Sequence, residues 1–229
     1  ERSYHGTMVH QSSTKELALQ IRKLARESGT TEYMILLAGL MVTLGKYSGQ
    51  EDIIIGSPVS GRTHPDTEKM LGMFVNTLAL RGKPEKDKTF ASFLKEMKNT
   101  CLKAYENQDY PFEELIEQID IKEDMSRNPL FDVMFVLQNN EGVDFKLMQS
   151  EVAGTVVEST VAKFDLTFNV VEANGAYHID LEYCTDIFKE ESMNWMLTHY
   201  LNILSQAVAD PDKKIEELDA ITTDEKTQI

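Results

Sequence analysis

Cysteine is scarce: Cys101 and Cys184 are the only two in 229 residues, far apart and without metal-ligand spacing. A disulfide framework is therefore not what organises this chain, and two isolated thiols suit a reducing compartment. Long apolar runs are missing too, none approaching the ~20 residues of a membrane span. Basic residues are outnumbered, 23 Lys and Arg against 38 Asp and Glu, for a formal net charge of −15. That balance argues against a phosphate backbone or an anionic membrane, so neither nucleic acid nor membrane is expected as a partner. A cytoplasmic location is the expectation that goes with these absences. There is no internal repeat and no low-complexity segment. The chain opens Glu1-Arg2-Ser3 rather than on Met, as a stretch from inside a longer polypeptide would, so a missing targeting signal carries no weight.

Hydrophobic content is 41%, and folding at this length buries roughly 70% of the unfolded chain's surface, enough for a core without covalent staples. Weak alternation marks the opening, up to Ser12, as a strand. "STKELALQIRKLARESG" predicts a helix with a Ser/Thr cap, stopped by Gly29. "TTEYMILLAGLMVTLGKYSG" starts from a second Thr cap, is apolar almost all round, and predicts a buried helix. "DIIIGSPVSGR" predicts a strand broken by Gly56 and Pro58, and "GMFVNTLALR" predicts another. "TFASFLKEMKNTCLKAYEN" is an amphipathic helix, and "PFEELIEQI" a second that begins with Pro and acids in its first turn. "FDVMFVLQN" predicts a strand, and Asn174-Gly175 joins two more as a hairpin. The last long helix runs to about Ala209. Residues 210–229 are charged and weakly periodic and predict a linker. Helices alternate with strands and the late hairpin is antiparallel, so the expected fold class is α/β, a mixed sheet covered by helices in an α+β sandwich.

Several motifs admit plain structural readings. In Asn107–Glu113 the Asn and Asp side chains favour a turn, with Asp109 capping the helix entered at Pro111 and with Tyr110 and Phe112 packed beside it. For Phe74-Val75-Asn76-Thr77, alternation puts Phe74 and Asn76 on one face, and the Asn76 amide is either satisfied locally or borders a reaction site. "GSPVSGR" lacks the Lys-Ser/Thr ending of a phosphate loop. Arg62 at its end is expected on the surface or in an ion pair. Asn128 before Pro129 favours a turn. His199, on a helix with Trp195, is expected to pack, and His178 falls in the hairpin. No metal site and no Ser or Cys nucleophile is identifiable.

Taken together, "LGMFVNTLALR" (Leu71–Arg81), "NQDYPFE" (Asn107–Glu113) and "SRNPLF" (Ser126–Phe131) resemble signature motifs of nonribosomal peptide synthetase condensation domains, in the family's order. "YSGQEDIIIGSPVSGR" (Tyr47–Arg62) and "IEELDAITTDEK" (Ile215–Lys226) are similar as well, so the resemblance runs along nearly the whole chain. One departure is Glu123 where the family has Arg before Asp124. The resemblance implies a chloramphenicol acetyltransferase-like fold of two subdomains around a tunnel. It also implies a catalytic His-His-x-x-x-Asp-Gly motif in the N-terminal subdomain. None of the five histidines, His5, His10, His64, His178 and His199, has a His neighbour or an Asp four residues on. Residues 1–209 are therefore expected to be the C-terminal, acceptor-side subdomain, with no catalytic residue of its own, and 210–229 the linker toward a following adenylation domain.

Further expectations follow from the resemblance. Asn76, Ser57 and Ser60 are placed at the tunnel, while Phe74, Asn107, Asp109, Pro111, Phe112, Arg127, Asn128 and Pro129 are structural motif positions. The implied reaction joins carrier-bound aminoacyl or peptidyl thioesters, with this half inactive alone. No cofactor is bound directly; 4′-phosphopantetheine rides on upstream and downstream peptidyl carrier domains. The N-terminal half is the other implied partner. A noncatalytic carrier-binding scaffold and an epimerisation-type relative stand as alternatives.

Overall fold

The computed structural model describes residues 3–62, 64–67, 70–119, 127–138, 146–147, 150–151 and 160–228. In chain order the elements are β1 (Gly6–Ser12), α1 (Lys15–Ser28), α2 (Glu32–Ser48), β2 (Ile53–Val59), β3 (Asn76–Gly82), α3 (Phe90–Glu106) and α4 (Phe112–Gln118). They continue with β4 (Val133–Gln138), a small hairpin of β5 (Lys146–Leu147) and β6 (Ser150–Glu151), β7 (Leu166–Ala173), β8 (Ala176–Cys184), α5 (Glu190–Ala209) and α6 (Thr223–Gln228). Six strands form one sheet in the order β1-β8-β7-β4-β2-β3. β4 runs parallel to both β7 and β2, and the other pairings are antiparallel. This is the mixed sheet expected of the fold class.

Alternation gives the sheet two unlike faces. Ile55, Leu80, Phe135, Phe168, Val170, Ile179 and Leu181 are buried on one face, among the side chains of α1, α2, α3 and α5. The opposite face carries His10, Ser12, His178 and Asp180, where β1 pairs with β8. α2 is the innermost helix, with an unbroken buried run from Met34 to Thr43. Its Gly39 is needed for close packing, because a Cβ there would lie 2.4 Å from Leu204 of α5. Thr14, Thr31 and Thr89 cap α1, α2 and α3 by accepting backbone N–H bonds, and Gly29 closes α1 at φ 61°. In the β7–β8 turn Asn174 and Gly175 both take positive φ, 53° and 79°, as a type I′ hairpin requires.

Two expectations fail. β2 is not broken at Gly56 and Pro58 but runs through both, paired with Ala79 and Thr77 of β3. β4 pairs with β2 only at Gly56, so the missing N–H of Pro58 costs no ladder bond on that flank. Gly56 admits the ring of Phe131, which would stand 2.2 Å from a Cβ. Secondly, β3 begins only at Asn76, so Phe74 lies in the preceding loop rather than on a strand face.

The C-terminal residues are also not a loose tether. Phe90 and Ala91 donate backbone bonds to Lys213 and Pro211, Ile215 donates to Lys88, and Ile215 and Leu218 are buried in the core. Asn202 Nδ2 of α5 reaches the carbonyls of Asp219 and Ala220 at 3.0 and 3.1 Å. His199 then bridges two elements, with Nδ1 2.6 Å from the Tyr47 hydroxyl and Nε2 2.9 Å from Glu225. Trp195, the one tryptophan, lies beside that imidazole with ring centroids 6.0 Å apart.

Two outcomes follow. Gly56→Val sets a branched side chain against Phe131 and is expected to cost about 1–3 kcal/mol, measured from urea midpoints. Hydrogen bonds from Thr222, then His199, hold the Glu225 carboxyl down from 4.5 to about 2. A depressed carboxyl favours the folded state above its free value and loses that contribution as pH falls through the folded one. Docking of 222–226 should therefore weaken between pH 4.5 and about 2, read by Trp195 emission; no change over that window would refute it.

Candidate functional site

Two of the sequence motifs meet at one side chain. Asn76, first residue of β3, donates from Nδ2 to the carbonyls of Gln108 (2.7 Å) and Tyr110 (2.8 Å). Its Oδ1 accepts from the N–H groups of Thr77 (2.9 Å) and Phe112 (3.2 Å). An amide offers two donors and two acceptor lone pairs, and all four are used. The N-terminus of α4 is thus capped from β3, across 36 residues. Pro111 supplies no side-chain bond there, and the Phe112 N–H is taken by Asn76 of β3. Asn107 closes the preceding helix instead, its Nδ2 donating to the Lys103 carbonyl at 2.8 Å. Phe112 packs against Phe131 at 5.4 Å and Phe131 against Phe164 at 5.8 Å, a ladder of rings over Gly56. Tyr110, expected to be buried, is exposed.

Arg62 does something its sequence position did not announce. Its guanidinium donates to the carbonyls of Thr67 and Met70, the latter at 3.0 Å, and reaches Gly72 at 3.5 Å. The same group lies over the Phe74 ring at 4.4 Å, a cation–π contact. Arg62 therefore shapes the loop before β3, and among the described residues it pairs with no acid. Gly61, at φ 62°, lies so close to Phe74 that a Cβ would stand 1.7 Å from its carbonyl oxygen. Ser60 accepts the Arg62 N–H at 3.4 Å and is exposed. Ser57 points to the helix layer, is buried, and accepts the Tyr33 hydroxyl at 2.7 Å. Burial raises that phenol's pKa and keeps it protonated as the donor.

The third motif forms a turn in which Phe131 N–H donates to Pro129 at 2.9 Å and Leu130 takes φ 69°. Arg127 pairs with Asp132 at 2.5 Å, and Asn128 reaches the Lys163 carbonyl at 3.4 Å. Arg127, Phe131 and Asp132 share a cavity of about 690 Å³ with Asp52 and Tyr47. Glu123, Asp124 and Ser126 lie outside the described residues.

Reactive chemistry is sparse among the described residues. Burial pushes the Cys101 thiol up to about 12, which leaves no thiolate at neutral pH. Ser12 lies 2.8 Å from His178 Nδ1, a neighbour that only the β1–β8 register reveals. The other ring nitrogen faces the Ala173 carbonyl at 3.2 Å, so no carboxylate orients this imidazole as a triad requires. Among the described residues no His, Cys, Asp and Glu group suits a metal ion, and no helix is long and apolar enough to cross a membrane.

A one-sided mixed sheet with these three motifs around Asn76, Arg62 and Phe131 defines a chloramphenicol acetyltransferase-like subdomain. The condensation-domain family model matches residues 1–229, and the chain belongs to that family. It is 44% identical to bacitracin synthase 3 of Bacillus licheniformis over 232 residues, covering 99% of this chain and 4% of that protein. It is 45% identical to gramicidin S synthase 2 of Brevibacillus brevis over 231 residues, covering 100% of this chain and 5% of that protein. Among solved structures, holo-AB3403, a four-domain nonribosomal peptide synthetase bound to AMP and glycine, matches with a TM-score of 0.86 at 25% identity, over 97% of this chain and 19% of that one. The first condensation domain of the CDA synthetase shares the fold at a TM-score of 0.79 and 17% identity, over 97% of this chain and 49% of that chain.

Asn76→Ala removes four hydrogen bonds, each contributing about 0.5–1.5 kcal/mol. The expected loss is about 2–4 kcal/mol, with faster amide exchange at 108–115 and little change in β7 and β8. Asn76→Asp keeps the acceptors but sets a carboxylate against two carbonyls, and should fall near the alanine variant in the same measurements.

Proposed function

We propose that residues 1–209 are the C-terminal, acceptor-side half of a condensation domain that joins carrier-bound aminoacyl or peptidyl thioesters, and that this half is inactive alone. The observation that carries the reading is a family match over the whole chain without the His-His-x-x-x-Asp-Gly sequence. In the reaction an amine attacks a thioester carbonyl, and catalysis needs alignment of the two, a proton acceptor and donors for the developing oxyanion. The imidazole belongs to the N-terminal half, and this chain contributes wall and shape.

On this reading Ser60, exposed at the end of β2, lies at the tunnel. Asn76 serves it by holding the 107–112 loop, since its amide has no hydrogen-bonding position left for substrate. Ser57 acts from behind, through Tyr33. The partners are the N-terminal half, the upstream and downstream peptidyl carrier domains with their 4′-phosphopantetheine arms, and an adenylation domain reached through residues 210–229. That last segment works as a docked strap rather than a free linker.

The purified chain, given both loaded carriers, is expected to show no dipeptidyl thioester by mass spectrometry. Supplying the N-terminal half restores product. Turnover by the chain alone would refute the assignment.

A further inference from the structure

The cavity beside the Phe131 turn is the strongest feature that the proposed reaction leaves unused. It holds about 690 Å³, a size that suits a small organic molecule, and lies between the end of α2, the N-terminal half of α5 and the starts of β2, β4 and β7. Asn76 and Ser60 are at the opposite end of β2, so the cavity is separate from the residues assigned to the tunnel. Leu44, Phe131, Phe188 and Met196 give it apolar walls. Its charged side chains are Asp52, Asp132, Asp165 and Arg127, three negative against one positive.

Asp132 is the least settled of these. Arg127 sets both Nε, at 3.1 Å, and a terminal NH2 on one oxygen, Oδ2. The other oxygen, Oδ1, is buried and has no hydrogen-bond partner among the described residues. A buried carboxylate oxygen without a donor is costly, and such atoms are rare enough to ask for an explanation. The Arg127 side chain is 65% exposed, and an ion pair with that much water around it is held weakly. A cation arriving from the cavity therefore competes for this carboxylate on favourable terms. Asp52, by contrast, is committed to Arg81, which bonds both of its oxygens. Among the described residues no His, Cys, Asp and Glu group is arranged for a metal ion, so the matching charge is that of an organic cation.

We propose that this cavity binds a small organic amine, whose ammonium donates to Asp132 while an apolar body lies against Phe131, Phe188 and Met196. An ammonium brings three donors and no acceptor, which is what an under-satisfied carboxylate requires. Aromatic rings in the same wall attract a cation through their faces, and an apolar body that displaces water strengthens the pairing. A free carboxylate is disfavoured by the surplus of negative charge. Phe131 also belongs to the ladder with Phe112 and Phe164, so the amine rests on a ring that joins the sequence motifs. The site does not depend on the half-domain reading.

The test is a titration of the purified 229-residue chain, carrying 13C-methyl methionine, with phenethylamine, L-phenylalanine and 3-phenylpropionate. The three share one apolar body and differ in charge. Phenethylamine is expected to shift the Met196 methyl, which is buried in the cavity wall, and to saturate with a Kd on the order of 1 mM or below. Met8 on β1 and the exposed Met73 should not move. L-Phenylalanine should bind at least about fivefold more weakly, and 3-phenylpropionate more weakly still. Equal shifts from all three overturn the proposal by showing an apolar hole without charge selection, as does an unmoved Met196 at about 20 mM phenethylamine.

Two variants carry the test further. Asp132→Asn should weaken phenethylamine at least about tenfold. Arg127→Met removes the competing cation and should tighten it about threefold or more. Damage to the turn would weaken binding in both, so opposite signs distinguish recognition from structure. Weaker binding in Arg127→Met, or unchanged binding in a folded Asp132→Asn, overturns the assignment. If Asp132→Asn does not fold, the charge series on the unaltered chain and Arg127→Met decide it.

Discussion

One side-chain amide determines how the motif-bearing end of this molecule is assembled. Asn76 meets the backbone at Thr77, Gln108, Tyr110 and Phe112, and so fastens a strand to the loop and helix that follow α3. The constraint is one of satisfaction: a half-buried amide among apolar neighbours is costly unless every donor and acceptor is met. Once it is met, α4 has a fixed start, Phe112 is aimed at Phe131, and Phe131 lies on Gly56. Three motifs distant in sequence therefore behave as one unit.

The same unit explains the distribution of chemistry. Side chains that look available in sequence are occupied in space: Ser57 by Tyr33, His178 by Ser12 and Ala173, His199 by Tyr47 and Glu225. Cys101 is sealed in the core. Among the described residues few of these polar groups stand idle, in keeping with the wall-and-support role proposed above.

What was legible in the sequence is what short-range chemistry dictates. Threonine caps, the Gly29 stop, the all-apolar α2 and the Asn174-Gly175 turn each depend on residues within a few positions, and each formed where expected. What was not legible depends on partners far along the chain. The cap of α4 comes from β3, the neighbours of Arg62 are carbonyls of a loop with no pattern of its own, and Pro58 stays in a strand because one neighbour stops short. Residues 210–229 read as charged and weakly periodic, yet two of them, Ile215 and Leu218, anchor the segment. Two core side chains in a largely charged stretch give no period to detect.

That anchoring has a mechanical consequence. Twenty free residues would give anything attached after them about 70 Å of reach. Fastened along α3 and α5, the same stretch grants almost none, so the fulcrum for any polypeptide continuing past Ile229 moves from the end of α5 to the Glu225–His199 contact. Motion there becomes a rotation about a short stalk, and torque on it is delivered directly to the helix layer.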